Sequence, residues 1–397
     1  MTTPQLARYI DLHILQDIPA SCLNRGEFNE PKTLMVGNAQ RAAISSQSQK
    51  RADRDELETF LSEPAARTRR LPPRLAEELR KADWPEDLAR FAATQIPRSA
   101  TSEGLATDPA ADDRTVAMLY VPADTIIDDL AALCARHRTA LEKGMANEAT
   151  STAKTPAAYL PTGEVVNLLC QRTASINLFG RFLAGLADAH VDGAVQMAWA
   201  FTTHTSDPQP DFFTAREDWA QPGEAASAHL DTAYLTAGVF YRYASVNLTE
   251  LTRNLDGNAS HALGLLAAFT DVFITALPQA KKNSTAPHTL PDTVHYVVRD
   301  RRPVSYASAF HQPVKAERHG GYLTPSRSAL SQYAGVITQM FGTRHRIAHG
   351  HVTQTPGTDP LEHLGERHTS YDTLIDALTT AAAAPATTPR TYTYIAA

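Results

Sequence analysis

YIDLHILQ, residues 9–16, sets Ile10, Leu12 and Ile14 in alternation with Asp11 and His13. A period of two reads as a β-strand with one face turned to a core. Working outward, a long loop, DIPASCLNRGEFNEPKTLMVGNAQ, leads to a helix that starts near Ser46. From there to about Gly163 the sequence is mostly helix-like, broken by linkers rich in Pro, Ala, Ser and Thr, and reads as an inserted helical region. GAVQMAWAFTTHT then alternates Val195, Met197, Trp199 and Phe201 as a strand, and AGVFYRYASV from Ala237 is a further strand. The segment between them is far longer than a hairpin turn needs, which marks it as functional or disordered. Asn247 caps NLTEL, the apolar-periodic HALGLLAAFTDVFITALP follows as a helix, and TVHYVVRD closes the series as a strand. The skeleton is β, α, β, β, α, β. That is an α+β, ferredoxin-like pattern with one insertion after the first helix and another at the central hairpin.

The chain has 397 residues, 43% hydrophobic and 20% charged, enough to bury a sizeable core in one elaborated domain or two. No apolar run is long enough to span a bilayer, and MTTPQLARYIDLHI lacks the features of a secretory signal, so a cytoplasmic location without membrane contact is expected. Cys22, Cys134 and Cys170 are odd in number, widely spaced and without a CxxC pair, as buried thiols would be. The net charge of -6 argues against coating nucleic acid through bulk positive charge. Any such contact must be local.

One local feature stands out. Ser46 and Gln49 form a capping-box signature, which places Lys50, Arg51 and Arg54 in the first two turns of the helix. The macrodipole is positive there and favours acidic side chains by ~0.3–1 kcal/mol each. Either an anion such as a phosphate binds where open N–H groups and cations converge, or the segment is a solvated face with Arg51–Asp55 and Arg54–Glu58 pairs.

IDLHILQDIPASCLNRGEFNEPKTL followed by ISSQSQKRADR, then FGRFLAG, AWAFTTHT, DFFTA and SAHLDTAYLTAGVFYRYASVNL, resemble the CasC family in order across roughly Ile10 to Gly321. This is the backbone subunit of the type I-E CRISPR Cascade complex. The resemblance implies an RNA-recognition-like (RRM-like) palm at 1–60 and 187–322, helical fingers at 61–186, a thumb hairpin at 205–236 and a helical extension at 323–397. It also implies head-to-tail copies of the subunit threaded on one CRISPR RNA (crRNA), displayed for pairing with a DNA target beside other Cascade subunits. The expected role is non-enzymatic, with no cofactor and no metal.

By the same resemblance, Asn24 and Arg25 meet the guide backbone, helped by Ser45, Gln47, Lys50, Arg51 and Arg54 at the helix start. Lys32 and Arg41 stand as remnants of a basic run that relatives carry before ISSQS, and Asp53 stands where relatives carry an apolar residue. Arg181 and Phe182 match a segment whose apolar side chain wedges against bases. Phe212, Phe213 and Thr214 lie on the thumb, and His229 on its returning strand. The usual RNA-binding aromatic consensus is absent, and GVFYRY is only a faint echo of it. His345, His349 and His351 in RHRIAHGH have a spacing compatible with metal on a helix-to-loop transition. The alternative function is an RNA-recognition-fold endoribonuclease that processes CRISPR transcripts with His13 as general acid or base.

Overall fold

The structure, a computed structural model, describes residues 8–150, 157–219, 227–354 and 361–384, with backbone alone at 216 and 227–230. It divides into two compact units, Met1–Glu56 with Val195–Ala397, and Leu57–Ala194. The first opens with β1 (Tyr9–Ser21), the hairpin β2 (Thr33–Val36) and β3 (Ala39–Ile44), and α1 (Ser46–Leu61), which runs on into the second. The second unit contains β4 (Ala65–Thr68), α2 (Leu71–Lys81), α3 (Glu86–Ser99), β5 (Thr107–Asp108), β6 (Arg114–Thr115), β7 (Leu119–Pro122) and helices α4 (Ile126–Arg136), α5 (Arg138–Thr150), α6 (Thr162–Leu169) and α7 (Ala174–Phe179). The chain re-enters the first unit with β8 (Val195–Met197), β9 (Ala200–Thr202), β10 (Gln209–Arg216) and β11 (Ser227–Asn247). It continues with α8 (Leu248–Asn254), α9 (Ala259–Thr275), α10 (Lys282–Thr285), β12 (Thr293–Arg299), α11 (Leu323–Phe341), β13 (Arg346–Thr353), β14 (Glu366–Arg367) and α12 (Tyr371–Ala383).

The first unit is built on a large sheet of order β14-β13-β12-β1-β11-β9-β3-β2, so the architecture is α+β. β1 is its axis, antiparallel to β11 on one side and to β12 on the other. The hairpin β2–β3, inside what the sequence offers as loop, turns on Gly37 and Asn38 at φ +55° and +60°. Both positions need a left-handed backbone, the condition for the two-residue turn that matches strand twist. RHRIAHGH is not a helix-to-loop transition: from Arg346 onward it lies in β13, paired with β12. The strand expected through Val195–Phe201 breaks into β8 and β9, because Met197 pairs with Ala244 whereas Phe201 pairs with Tyr241, which leaves one extra residue around Ala198 and Trp199.

β1 also differs in burial. The alternation expects Asp11 and His13 on an open face, yet both are 0% exposed, as are Ile10, Leu12 and Ile14. The chain beyond β12 covers that face: Leu15 packs in one cluster with Tyr241, Tyr243, Tyr306, Leu330 and Ala334. His13 stacks on Tyr306 at 4.0 Å between centroids. On the opposite face Arg242, 1% exposed, donates to the carbonyls of Phe273, Ile274 and Ala276 at the end of α9 and to Gln16 Oε1. Those carbonyls have no partner within the helix, so a cation there satisfies both charge and hydrogen-bond demand.

The second unit is held by apolar stripes on short helices: Leu75 and Leu79, Leu88 and Ile96, Leu130 and Leu133 share one core.

His13 and His295 are adjacent across β1 and β12, wholly buried, and held neutral well below the ordinary 6.5, mainly by desolvation. Depressed histidines give stability that is fully present above the unfolded value and is lost as pH falls below it, about 1.4 kcal/mol per unit for each group. Urea midpoints should therefore drop between pH 6.5 and 4.5. His295→Phe should remove about one proton from that slope, and an unaltered slope in this variant would refute the assignment.

Candidate nucleic-acid interface

The start of α1 is fixed by the loop after β1. Asn24 Oδ1 accepts from the Ser45 N–H at 2.8 Å, and Asn24 O accepts from the Lys32 N–H at 2.8 Å. Ser45 Oγ in turn accepts from the Ser48 N–H at 3.4 Å. The cap is thus Ser45, not Ser46, and Gln49 does not close a capping box. Its Nε2 donates instead to Ile44 O and Ala198 O, across to the β8–β9 break.

Beside this helix start lies a cleft of about 810 Å³ lined by Asn24, Arg25, Ser48, Arg51 and the Pro278–Gln279 turn. Arg25 is exposed and donates to Asn29 Oδ1 at 3.0 Å; Arg51 is exposed and bridges to Asp55. Glu27 also lines the cleft, so its charge is balanced. Burial pushes the Cys22 thiol up, against the pull of Lys281 and Arg25, which places both cations near the loop. Gln47 is exposed on the first turn of the helix.

The remaining expected cations are committed elsewhere. Lys50 Nζ donates to Val195 O at 3.3 Å, and Arg54, 6% exposed, reaches Asp55. Arg41 is 0% exposed and donates to Thr202 O and Phe310 O. Arg181, 4% exposed, donates to the carbonyls of Ala189, Tyr120, Gln171 and Cys170. A guanidinium has five donors and no acceptor, so a buried one gathers carbonyls. Arg41 and Arg181, expected at RNA, are internal ties within their own units. Lys32 holds its ammonium 4.9 Å from the Trp199 ring.

Phe182, by contrast, is 78% exposed next to the inward Arg181, its ring in a T-shaped pair with His190. On the thumb, Phe212 pairs with Thr232 and Phe213 with Asp231, and both aromatics are exposed. Successive strand residues face opposite sides. Phe212 therefore shares its face with Pro210 and Tyr234, whereas Phe213 shares its face with Asp211 and Asp231. Thr214 is exposed opposite Leu230, and the side chain of His229 lies outside the described residues. Half-exposed Trp199 and exposed Phe28 and Tyr234 are aromatics that the sequence reading left out. For Trp199 the strand break was the missing information.

His13 cannot serve as a general acid or base, because it is wholly buried between Tyr306 and its strand neighbours. His349 and His351 sit in β13, His345 holds Asp300 at 2.9 Å, and among the described residues no group of three or more His, Cys, Asp or Glu could hold a metal. Among the described residues no helix is long and apolar enough to cross a membrane.

A family model described as CT1975-like protein matches residues 10–377. A solved chain from a "CRISPR RNA-guided surveillance complex, pre-nicking" is 38% identical, with a TM-score of 0.86, over 94% of this chain and 100% of that one. Another, from a "CRISPR RNA-guided surveillance complex", is 35% identical, with a TM-score of 0.77, over 94% of this chain and 99% of that one. Among curated proteins there is no match.

Asp53, 1% exposed, has neither carboxylate oxygen hydrogen-bonded, and burial raises it to about 7 against the pull of Arg242. A raised carboxyl gives stability that is fully present below its ordinary value of 3.8 and is lost as pH rises through 7. Asp53→Leu should therefore stabilise the protein, by ~1–3 kcal/mol more at pH 8 than at pH 5. Equal gains at both pH values in urea melts would disprove an ionisable, unpartnered Asp53.

Proposed function

The chain belongs to the CT1975-like, CasC-like family, and from that membership we propose that it is the non-catalytic backbone subunit of a type I-E CRISPR surveillance complex. In this reading it polymerises along the guide RNA in the cytoplasm and presents it for pairing with target DNA. The observation that carries the proposal is the cleft at the start of α1, lined by the exposed Arg25 and Arg51 together with Asn24 and Ser48. Phosphate and sugar contacts there would hold the guide in register without reading its sequence, leaving base edges free to pair.

The palm is read as RNA-recognition-like on the order β12-β1-β11-β9 at the centre of the sheet. The mode of binding differs from that of a typical module of this kind. The sheet face carrying Tyr241 is buried under Tyr306 and α11, so the guide is assigned to the helix-start cleft and the thumb. Copies arranged head to tail share a heterologous interface that does not close, which gives an open filament, joined by other Cascade subunits.

Native mass spectrometry with intact guides of increasing length tests this. Stepwise addition of one subunit per length increment, with the RNA uncut, is the expected result. Arg25→Ala should weaken each step alike and lower the slope of log affinity against log salt by ~0.7. A fixed stoichiometry at every length, or cleaved RNA, would end the scaffold reading.

The thumb gives a sharper expectation, since Phe212 and Phe213 point to opposite faces and cannot flank one base together. With a fluorescent base analogue walked along the guide, one of Phe212→Ala and Phe213→Ala should flatten the periodic brightening and the other should leave it. Base–aromatic stacking is worth ~1–3 kcal/mol, ample for such a difference. Equal effects from the two variants would contradict the opposed faces.

A further inference from the structure

Arg67, Arg69, Arg70 and Arg114 of the second unit line a cleft of about 480 Å³ formed by β4, the start of α2 and β6. Five other arginines of that unit meet carboxylates: Arg80 with Glu86, Arg90 with Asp113, Arg98 with Glu148, Arg136 with Glu164 and Arg138 with Glu142. Among the described residues, none of the four in the cleft has an acidic partner. The one carboxylate in the lining, Asp108, accepts from the Ala110 N–H at 3.1 Å. Arg67 sits over the Tyr120 ring with Cζ 4.8 Å from its centroid, and Arg114 Nε is buried without a hydrogen-bond partner. Four cations against the one carboxylate of Asp108, which stands cross-strand from Arg114, leave the cleft net positive in a chain whose net charge is -6. Basic composition does not explain the cluster.

The chemistry of the cleft selects an anion with several centres. Planar guanidinium forks match phosphate oxygens two at a time. A single small anion would engage one or two of them and leave the others repelling. The backbone offers little, since α2 opens Leu71-Pro72-Pro73, with two residues that lack an N–H, and the Arg70 N–H is already bonded to Thr68 Oγ1. Side chains must do the holding. The exposed Val116 and Met118 on the same wall suit the apolar faces of sugars between phosphates.

We propose that this cleft binds the phosphodiester backbone of a nucleic acid, as a second site built from residues that the α1 cleft does not use. It does not depend on the guide reading. Full-length protein is titrated over a salt series with fluorescent duplex DNA and with single-stranded RNA, both of unrelated sequence. The triple variant Arg69→Ala, Arg70→Ala, Arg114→Ala should bind at least one probe ~10-fold or more weakly, with the salt slope reduced by ~2 to 3 for the phosphates released. A loss confined to duplex DNA assigns the cleft to DNA, and one confined to RNA assigns it to RNA. Unchanged affinity and slope for both probes overturn the proposal. If the triple variant melts early, Arg70→Glu alone, at an exposed position, must still weaken binding, and failure to do so overturns the proposal equally. Arg25→Ala reports separately on the α1 cleft: if it changes nothing while the triple variant loses the probe, the guide reading falls and this one stands.

Discussion

Asp11 and Arg299 meet at 2.8 Å with side chains 0% and 3% exposed, and the first unit is organised around that pair. Burying a carboxylate raises its pKa and costs several kcal/mol unless it is paired and fully hydrogen-bonded. Asp11 meets the condition by accepting also from the Tyr243 hydroxyl and the Val304 N–H. These donors come from β11, from β12 and from the segment that follows it. Arg299 extends the network to the Tyr306 hydroxyl, and Tyr306 roofs His13. A slip of one residue in β1 would put Asp11 among apolar side chains on the other face and leave Arg299 uncompensated. The pair is thus better understood as a register lock than as a source of net stability.

The consequence reaches function. By drawing the chain after β12 across the sheet, the network closes the surface on which an RNA-recognition module would display its aromatics. Tyr241, on the strand that faintly echoes such a module, is 0% exposed, and its hydroxyl accepts from the Tyr306 N–H at 3.0 Å. A cleft stays open where the loop after β1 meets α1.

Much of this was legible in the sequence. β1, β11, β12, α8 with its Asn247 cap, and α9 follow from periodicity and capping chemistry, because each is a local pattern. Burial of the polar face of β1 was not legible, since it depends on residues about 290 positions away in the chain, and no local signal marks an aspartate that will find a distant arginine. β13 was read as a helix end because its histidines invite a metal reading, while its alternation becomes decisive only beside β12. At the candidate site, the loop Asn24–Arg25 and the start of α1 do adjoin one cleft. The inward turn of Arg41 and Arg181 was hidden, because an arginine looks the same in sequence whether it meets phosphate or backbone carbonyls.

That ambiguity of arginine is the thread through both units. Arg41, Arg181 and Arg242 are 0–4% exposed and satisfy carbonyls that helix ends and loops leave open. Three exposed arginines of the second unit, Arg80, Arg90 and Arg136, are neutralised by nearby carboxylates, in keeping with a net charge of -6. A protein of this balance has little non-specific attraction for polyanions at physiological ionic strength, where the Debye length is about 8 Å. Contact with nucleic acid must then be local, made where the geometry converges cations that face solvent. Composition counts every arginine alike; only their partners divide those that hold the fold from those that can receive a ligand.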